Sequence, residues 1–551
     1  MTTFNRRTFL TALSSASAGL IVSNTLFASL KIDEHVQVEI AHGRLRGIRS
    51  KGVNIFKGIP YAGRTSGDHR FKRPAKLDPW KGVRDALQLG APAIQPPNQT
   101  YGLNEPPPDE DCLFLNVWTP ANDNKKRPVM FYNHGGGFAT GSGGSVAQDG
   151  ANLARYHDVV VVETNHRLGI MGYLYLDEIA ASEYAGSGNM GMLDIVEALK
   201  WVHDNIDMFG GDPSNVMIWG ESGGGAKTSC LYAMPDAAPF FNKASIESGP
   251  GIRMIPKEAA TEMTAIVLKE LNISPKDWRK LLEVPTRDLL ALQSNMPALV
   301  AKAGFAKSKG QVGFVPGSFS PVVDGLVLPY HPFSPSAPEI SKDKPLIVGW
   351  NEDEFTFFAM VMKDTEMLKG DFPDLEKKLE PQYGSNTKKL IDTYRETRPE
   401  ASAADIWIAI QSMNMFGFGS VIIAERKAQQ NAAPVYLYNL GYKSENKIPG
   451  TDRPLGSPHV IDITLKFRNE LPGAAPGFWA GNRPERFVAS KNMAEFWTSF
   501  ARAGKPVAEN APQWIPYNLT DKPTMRIDEK CEVINRRFEK EIDVWRTIQT
   551  L

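Results

Sequence analysis

Cysteine is the scarcest residue in this 551-residue sequence, with copies only at Cys112, Cys230 and Cys531. Three cysteines in so long a chain exclude a disulfide-stapled scaffold, and their odd number leaves at least one unpaired within the chain. No Cys-x-x-Cys pair or cysteine–histidine cluster is present, so nothing indicates zinc. We predict that all three side chains behave as small buried apolar groups.

An excess of charge of either sign is also missing. The sequence has 62 Lys and Arg residues against 62 Asp and Glu residues, which gives a formal net charge of zero. This balance, without any long basic run, gives no support for a nucleic-acid or anionic-membrane partner. There is no internal repeat or low-complexity block. The hydrophobic fraction of 42% and the charged fraction of 23% are typical of a globular protein with a sizeable core.

The N-terminus has an apolar stretch, from Phe9 to Ala28, that is short and weakly apolar for a membrane span. It follows Arg6-Arg7, and the surrounding pattern is similar to a bacterial twin-arginine export signal. A general secretory signal or an uncleaved anchor are the alternatives. We predict a signal peptide over residues 1–28, a mature domain over residues 29–551 and an exported protein, periplasmic or secreted. Leu26 is not the small residue that cleavage after Ala28 favours.

Apolar runs and turn residues predict an α/β protein. Strands are predicted over residues 113–118, 128–133, 159–162, 215–219, 345–349 and 434–438, and helices over 192–209 and 226–234. Strands that alternate with helices imply a central, mostly parallel sheet flanked by helices. Residues 256–309 and 364–430 have helical character, and we interpret both regions as insertions packed on one core. The Pro-, Asn- and Gln-rich stretch over residues 91–111 predicts a surface loop.

A Gly-x-Ser-x-Gly sequence follows one predicted strand directly and precedes a predicted helix. It runs from Gly220 to Gly224 with Ser222 at its centre. Glycines beside the serine remove the Cβ atoms that would clash in a sharp strand-to-helix turn, so the hydroxyl can stand out from the sheet edge. The five-residue pattern alone is weak in a chain with 47 glycines. Its strand and helix context favours a nucleophilic Ser222 over a chance turn.

A second glycine-rich sequence, His134 followed by Gly135–Gly137 and Phe138, comes after another predicted strand. We call residues 135–137 the glycine loop. Attack on an ester carbonyl builds an oxyanion, and backbone amides in such a loop can approach it closely. The pattern is that of the oxyanion element of lipases and esterases, and with the serine motif it is much more specific than either alone.

A serine hydroxyl needs a base, usually a histidine that a carboxylate orients. In α/β-hydrolases the chain order is serine, acid, histidine, and only His331 and His459 follow the serine. The acid must lie between them, and Glu352, Asp353 and Glu354 form a cluster after a predicted strand. The residues themselves do not choose among these candidates.

The sequence resembles the type B carboxylesterases, the family of bacterial para-nitrobenzyl esterases and cholinesterases. The similarity covers most of the mature chain. The segments that carry it are residues 56–62, 110–117, 188–194, 209–213, 321–325 and 496–502, together with the two glycine motifs. It implies an α/β-hydrolase fold, with helical insertions over an active-site gorge.

The resemblance also implies the site. The family's triad falls on Ser222, Glu354 and His459, and its oxyanion donors on the amides of Gly136, Gly137 and Gly223. The chain departs from the family pattern at two of these places. Gly223 replaces the usual alanine, which leaves the amide in place on a looser backbone. Phe355 replaces the glycine after the acid, where its side chain could shift the acid or line a pocket.

Other residues have structural and functional interpretations side by side. Cys112 matches a cysteine that the family often pairs with one upstream, but Ile94 occupies the partner position, so the resemblance implies that this disulfide is absent. Glu221 either tunes the site or is a buried, paired carboxylate. Arg167 and Asp194 are expected to form core ion pairs. Phe478 and Trp479 are expected to be core aromatics rather than gorge lining.

The predicted reaction is hydrolysis of a small-molecule carboxylic ester through an acyl-enzyme, without metal or organic cofactor. Two alternatives are a catalytically silent adhesion or binding module on the same fold and an acyltransferase with the same triad. Loops over residues 91–111, 139–145 and 355–362 are expected to shape the pocket. Their composition does not name the acyl or alcohol group, and the oligomeric state is not predicted.

Overall fold

The computed structural model describes residues 34–96, 105–304, 317–470 and 479–549. The predicted signal peptide over residues 1–28 therefore lies outside the described residues, as does Phe478. In the described part of the chain the strands are β1 Glu34–Ile40, β2 Gly43–Ser50, β3 Val53–Pro60, β4 Val83–Asp85, β5 Phe114–Thr119, β6 Arg127–Asn133, β7 Val160–Thr164, β8 Gly211–Glu221, β9 Lys243–Glu247, β10 Ile255–Pro256, β11 Val322–Val323, β12 Leu346–Asn351, β13 Val435–Leu440, β14 Ser444–Lys447, β15 Pro454–Gly456, β16 Pro523–Ile527 and β17 Glu532–Asn535.

The helices alternate with the strands from β7 onwards. In the same residues the α-helices are α1 Ala151–His157, α2 Gly169–Tyr173, α3 Met190–Asn205, α4 Gly223–Ala233, α5 Lys257–Glu270, α6 Thr286–Lys302, α7 Phe355–Val361, α8 Phe372–Tyr383, α9 Thr387–Thr397, α10 Ala403–Ser412, α11 Phe418–Gln429, α12 Ile461–Lys466, α13 Glu485–Ala503 and α14 Glu539–Ile548. A π-helical segment, Met413–Gly417, joins α10 to α11.

One large sheet organises the fold. Its strand order is β1-β2-β3-β5-β7-β6-β8-β9-β12-β13-β16-β17, and β4 pairs with β2. The run from β7 to β16 is parallel throughout, whereas the pairs toward β1 and the pair of β16 with β17 are antiparallel. The mostly parallel sheet flanked by helices that the sequence predicts is confirmed, and the antiparallel strands at its edges extend it.

Helices cover both faces of this sheet. In β6, Val129 and Phe131 belong to one apolar layer, whereas Met130 and Tyr132 belong to the other. This alternation follows from the two-residue period of a strand. One layer includes side chains of α3, α4 and α11, and the other includes side chains of α1, α12 and α13. A strand buried on both faces reads as a continuous apolar run, which is why β6 and β7 were recognisable.

The longest apolar helical stretch, residues 403–429, would be long enough to cross a membrane. Of its most apolar window, 78% is buried inside the protein, as in the core helix of a globular fold. The parallel strands β8 and β12 point their carboxyl ends to the same edge of the sheet, where α/β proteins bind their ligands. Ser222 follows β8 and Glu354 follows β12 at this edge.

Candidate active site

Ser222 lies in a sharp turn between β8 and α4, with φ of 59° and ψ of −124°. Such a conformation is unusual for a residue with a side chain and marks stored backbone strain. The turn is tight enough to require its glycines. A Cβ at Gly224 would lie 1.9 Å from the carbonyl oxygen of Asn133, and a Cβ at Gly220 would lie 2.5 Å from the same oxygen. The turn therefore has the geometry of a nucleophile elbow.

The backbone holds Ser222 in this position. Its amide donates to the carbonyl oxygen of Glu247, at the end of β9, over 2.8 Å. Its own carbonyl accepts the amide of Ala226 in the first turn of α4, over 3.1 Å. The residue is half-buried, so its hydroxyl remains open to a substrate.

His459 and Glu354 form a buried hydrogen-bonded pair. His459 Nδ1 donates to Glu354 Oε2 over 2.6 Å, and the histidine is only 2% exposed. The other carboxylate oxygen, Oε1, accepts Ser248 Oγ over 2.5 Å and the amide of Asn351 over 2.7 Å. Two donors, the Ser248 hydroxyl and the Asn351 amide, thus fix the carboxylate that orients the histidine. A histidine that acts as a general base needs such an arrangement.

The other acid and base candidates lie apart from this pair. Glu352 forms ion pairs with Lys443 and Arg537, at 2.9 and 3.0 Å. Asp353 contacts Lys443 as well and accepts the amide of Ser457. His331 accepts the amide of Met254 through Nδ1 over 3.2 Å. The structure therefore separates the three consecutive acids by function and leaves Glu354 facing the histidine.

Phe355 does not disturb the acid. Its ring packs edge-on against Trp407 with the centroids 4.9 Å apart, and its amide donates to Ser412 Oγ over 3.0 Å. The side chain is 7% exposed and belongs to the core, so it neither displaces Glu354 nor opens into the site.

Glu221, the residue before the nucleophile, is buried beside the histidine. Its Oε1 lies 3.2 Å from His459 Nδ1, yet neither carboxylate oxygen has a hydrogen-bond partner in the described residues. Burial raises the pKa of Glu221 well above its ordinary value, and proximity to His459 opposes that shift. Of its two interpretations from sequence, the structure favours the electrostatic one, because a merely structural carboxylate would be hydrogen-bonded.

The charges around His459 favour its protonated form. Burial lowers the pKa of this histidine, but the carboxylates of Glu221 and Glu354 outweigh burial and raise the pKa to about 9. An imidazolium at this place is therefore stabilised, as it must be when a histidine takes the proton of a nucleophile.

Three phenylalanine rings lie against the imidazole of His459. Phe416 stacks on it with centroids 4.8 Å apart and an angle of 13°, and Phe358 and Phe357 lie at 4.9 and 5.6 Å. Trp479 lies 5.4 Å from Phe357, is partly buried and packs against the apolar layers on both faces of the sheet, in agreement with its expected place in the core. Phe416 comes from the π-helical segment, and such bulges are frequent at functional sites.

The glycine loop follows β6 and lies against the turn that holds Ser222. Gly136 and Gly137 have φ of 83° and 62°, which favours glycine at both places. A Cβ at Gly223 would lie 2.2 Å from the carbonyl oxygen of Gly137 and 2.3 Å from its nitrogen. The absence of a side chain at position 223 thus permits close packing of the two backbones. The backbone at Gly223 is tightly packed, and not looser as the sequence suggested.

Two buried lysines near the site were not predicted from the sequence. Lys466 is fully buried between the carboxylates of Glu247 and Asp462, and its Nζ lies 2.6 Å from Asp462 Oδ2. Lys227 is equally buried in α4, five residues after Ser222, and its Nζ donates to the carbonyl oxygen of His134 over 2.8 Å. The only available signal was their position among apolar or small residues, where a lysine is rare.

The remaining candidates have structural roles. Arg167 and Asp194 form the expected core ion pair, with Nη2 and Oδ1 2.7 Å apart. Cys112, Cys230 and Cys531 are buried free thiols. In the described ranges, no group of three or more His, Cys, Asp and Glu side chains is arranged to hold a metal ion.

Comparison with known proteins places this geometry in a family. The model of the carboxylesterase family matches residues 34–545. The para-nitrobenzyl esterase of Bacillus subtilis is 32% identical over 503 residues, which cover 91% of this chain and 96% of that protein. The phenmedipham hydrolase of Pseudarthrobacter oxydans is 31% identical over 90% of this chain and 96% of its own length.

Solved structures agree with these relatives. A Geobacillus stearothermophilus carboxylesterase is 34% identical, with a TM-score of 0.77 over 92% of this chain and 99% of that one. An esterase from Clostridium hathewayi, described as able to hydrolyse aliphatic aromatic polyesters, is 30% identical with a TM-score of 0.77 over 94% of this chain and 100% of that one. The fold is that of the α/β-hydrolases. The chain belongs to the carboxylesterase family, and it is a serine hydrolase that cleaves carboxylic esters.

Proposed function

We propose that Ser222, His459 and Glu354 are the nucleophile, base and acid of this esterase, and that the amides of Gly136, Gly137 and Gly223 bind the oxyanion. The observation that carries the proposal is the 2.6 Å hydrogen bond between His459 and Glu354, buried beside an elbow that presents a serine.

The reaction follows in two acyl transfers. His459 takes the hydroxyl proton as Ser222 Oγ attacks the ester carbonyl carbon, and the carbonyl oxygen becomes an oxyanion. Collapse of this intermediate breaks the bond to the alcohol oxygen, which leaves with the proton held by His459. Water then attacks the acyl-enzyme, gives its proton to the same histidine and releases the acid and the free serine.

The replacement Ser222→Ala tests the nucleophile. Turnover of a simple aryl ester should fall by about 10,000-fold or more, because the residual oxyanion and binding contributions are small by comparison. Ser229→Ala is the matched control, since Ser229 is buried in α4 and its Oγ donates to the carbonyl of Gly225 over 2.9 Å and accepts the amide of Gly251 over 3.2 Å. An organophosphonate should label the wild-type protein at Ser222. Undiminished turnover in Ser222→Ala, or absence of the label, would reject the assignment.

Hydrolysis and acyl transfer to an alcohol share this triad, and the products distinguish them. We expect free acid as the main product in water, with an added alcohol diverting part of the acyl-enzyme in proportion to its concentration. Product analysis by chromatography with and without the alcohol measures this partition. A product that is exclusively the transferred ester at low alcohol concentration would identify an acyltransferase instead.

For the substrate, we propose an uncharged ester with an aromatic or other bulky apolar group. Its support is the ring cluster of Phe357, Phe358, Phe416 and Trp479 beside His459, together with relatives named for para-nitrobenzyl and phenmedipham substrates. A panel of esters that varies acyl length and alcohol size tests it. Higher kcat/KM for charged or very short aliphatic esters than for aromatic ones would contradict it.

For localisation, we propose that residues 1–28 direct export to the periplasm or beyond through Arg6-Arg7. After the double replacement Arg6→Lys, Arg7→Lys in the full chain, the esterase activity should be found in the cytoplasm and not in the exported fraction, because twin-arginine transport requires the arginine pair. Activity measured in separated cell fractions checks this. Unchanged export would favour a general secretory signal.

A further inference from the structure

Lys227 occupies an unusual environment for a lysine. Its side chain is fully buried, and the structure gives it one hydrogen bond, from Nζ to the carbonyl oxygen of His134 over 2.8 Å. In the described part of the chain no carboxylate forms an ion pair with it. A buried lysine without a counter-charge is costly, so its retention calls for a role that the hydrogen bond supplies.

The position of that hydrogen bond is informative. His134 is the residue directly before the glycine loop, and Phe138, directly after the loop, has its ring centroid 6.0 Å from Lys227 Nζ. Lys227 therefore contacts both ends of the loop. It belongs to α4, the helix that begins after Ser222, so its side chain joins that helix to the residue before the loop. One residue further on in α4, Thr228 Oγ1 accepts Asn133 Nδ2 over 3.0 Å and supports the same connection.

The other attachments of the glycine loop are made by its backbone, and the carbonyl oxygen of Gly136 also accepts Thr140 Oγ1 over 3.1 Å. Its residues have no side chains, and Gly137 is exposed. Its direct contact with α4 is backbone against backbone at Gly223. Residues after the loop are held by backbone hydrogen bonds, from Thr140 to Gly136 and from Gly169 to Phe138, over 3.0 and 2.7 Å. An anchor at His134 fixes the other end.

Burial disfavours the charged form of the Lys227 amine. His134 and His166 stack with centroids 4.5 Å apart. His134 Nδ1 is hydrogen-bonded to the carbonyl oxygen of Gly135, whereas His134 Nε2 and both ring nitrogens of His166 have no partner in the described residues. Burial lowers the pKa of Lys227 well below its ordinary range. Burial also lowers the pKa of both histidines. A neutral amine remains a hydrogen-bond donor, and its burial costs far less than that of an ammonium group.

We propose that Lys227 is a positioning residue that holds the glycine loop against the nucleophile's helix and so keeps the amides of Gly136 and Gly137 aimed at the developing oxyanion. The inference rests on the proposed function of that loop. It assigns Lys227 no direct contact with the substrate.

The replacement Lys227→Met tests this, because methionine keeps the length and apolar volume but donates no hydrogen bond. Amides aimed at the oxyanion stabilise the transition state and not the bound ester. We therefore expect kcat for an aryl ester to fall by about 10- to 100-fold while KM changes by less than about threefold. The affinity for a trifluoromethyl ketone, which mimics the tetrahedral intermediate, should fall by a similar factor.

A matched control exists elsewhere in the fold. Lys427 is fully buried and its Nζ also donates to backbone carbonyls, those of Ser341 and Lys342. Lys427→Met should lower the melting temperature but leave kcat and the ketone affinity within about twofold of the wild type, since it removes the same type of hydrogen bond far from the loop. Should Lys227→Met not fold, Lys227→Leu, which also donates no hydrogen bond, takes its place and must show the same split between kcat and KM.

Labelling separates this proposal from the function on which it rests. Each variant is titrated with an organophosphonate, so that kcat refers to competent Ser222 only. Wild-type kcat and ketone affinity in a fully labelled Lys227→Met would overturn the role of Lys227. An equal loss of kcat and ketone affinity in Lys427→Met would show that Lys227 contributes only to general stability. A wild-type enzyme that does not label at Ser222 would instead overturn the proposed function.

Discussion

The two sides of Ser222 differ in the charge they carry. On the His459 side the buried titratable groups are mainly carboxylates, with one lysine between two of them, namely Glu221, Glu354, Glu247, Asp462 and Lys466. On the side of the glycine loop, the residue before the loop, His134, lies with two further buried basic residues, Lys227 and His166. The two lysines show the contrast most directly. Burial lowers the pKa of each, but the carboxylates of Asp462 and Glu247 outweigh it for Lys466 and raise that pKa.

This difference matches the charges that the proposed reaction separates. A proton moves to His459, on the acidic side, while the oxyanion forms toward the glycine loop, whose backbone amides can donate hydrogen bonds. Groups placed in advance in this way stabilise charge separation without reorganising during the reaction, which is the largest electrostatic contribution in many enzymes. Single replacements on either side of Ser222 test this difference.

The largest effect is expected from Glu354→Gln on the acidic side. The amide keeps the shape of the acid but neither stabilises the imidazolium nor fixes the correct tautomer of His459. We expect kcat for an aryl ester to fall by about 1,000- to 10,000-fold, measured by steady-state kinetics on protein of confirmed fold.

Glu352→Gln is the control for this prediction. Glu352 is two residues away and pairs with Lys443 and Arg537, at a distance from the histidine. Its loss removes partly exposed ion pairs, so kcat should stay within about twofold of the wild type. Comparable losses in the two variants would mean that Glu354 does not act on the histidine.

The next largest effect is expected on stability from Lys466→Met. This change leaves the carboxylates of Glu247 and Asp462 buried without their cation, at a cost on the order of 3–5 kcal/mol in the free energy of unfolding. Lys427→Met removes only hydrogen bonds to neutral carbonyls and should cost about 1–3 kcal/mol. Urea unfolding of both variants measures the difference. Equal losses would show that the buried charges on the acidic side are not coupled through Lys466.

A smaller effect is expected from Gly223→Ala, where the two sides meet. The added Cβ would overlap Gly137, so the loop must retreat and its amides lose their aim at the oxyanion. We expect kcat to fall by about 10- to 100-fold with KM nearly unchanged, as for the partial loss of one oxyanion donor. Phosphonate titration supplies the active fraction. Full activity in this variant would show that the loop tolerates displacement.

The smallest effect on rate, but a clear one on pH dependence, is expected from Glu221→Gln. The base must be neutral to accept a proton, so kcat/KM falls as the pH drops through the pKa of His459, which is about 9 in the presence of both carboxylates. Removing the negative charge of Glu221 destabilises the imidazolium and lowers this pKa. The acid limb of the profile should therefore move to lower pH, with less than about a tenfold change in the plateau. A shift to higher pH would contradict the assignment.

Much of this site was predictable because its signals are local. The elbow around Ser222 and the glycine loop are short sequences directly attached to apolar strands, and each needs glycine for a steric reason that sequence alone reveals. The central strands were predictable because burial on both faces leaves continuous apolar runs. β1, at the edge, was not predicted, although the alternation in Glu34–Ile40 carries the signal of a half-buried strand.

The rest depends on contacts between distant parts of the chain. Glu354 and its two acidic neighbours look alike in sequence, and what distinguishes it is a histidine 105 residues later. Lys227 and Lys466 look like ordinary surface residues until the sheet and helices enclose them. The π-helical segment that brings Phe416 against His459 was not predicted, because its residues have the same helical character as the rest of residues 364–430.

The three thiols have a consequence for how the protein is made. Cys112, Cys230 and Cys531 are all buried and free, so the core closes without any disulfide. The native state can therefore form in a reducing compartment, and no oxidant or disulfide isomerase takes part. A chain that completes its fold before it meets a membrane is the cargo that the proposed twin-arginine route would require.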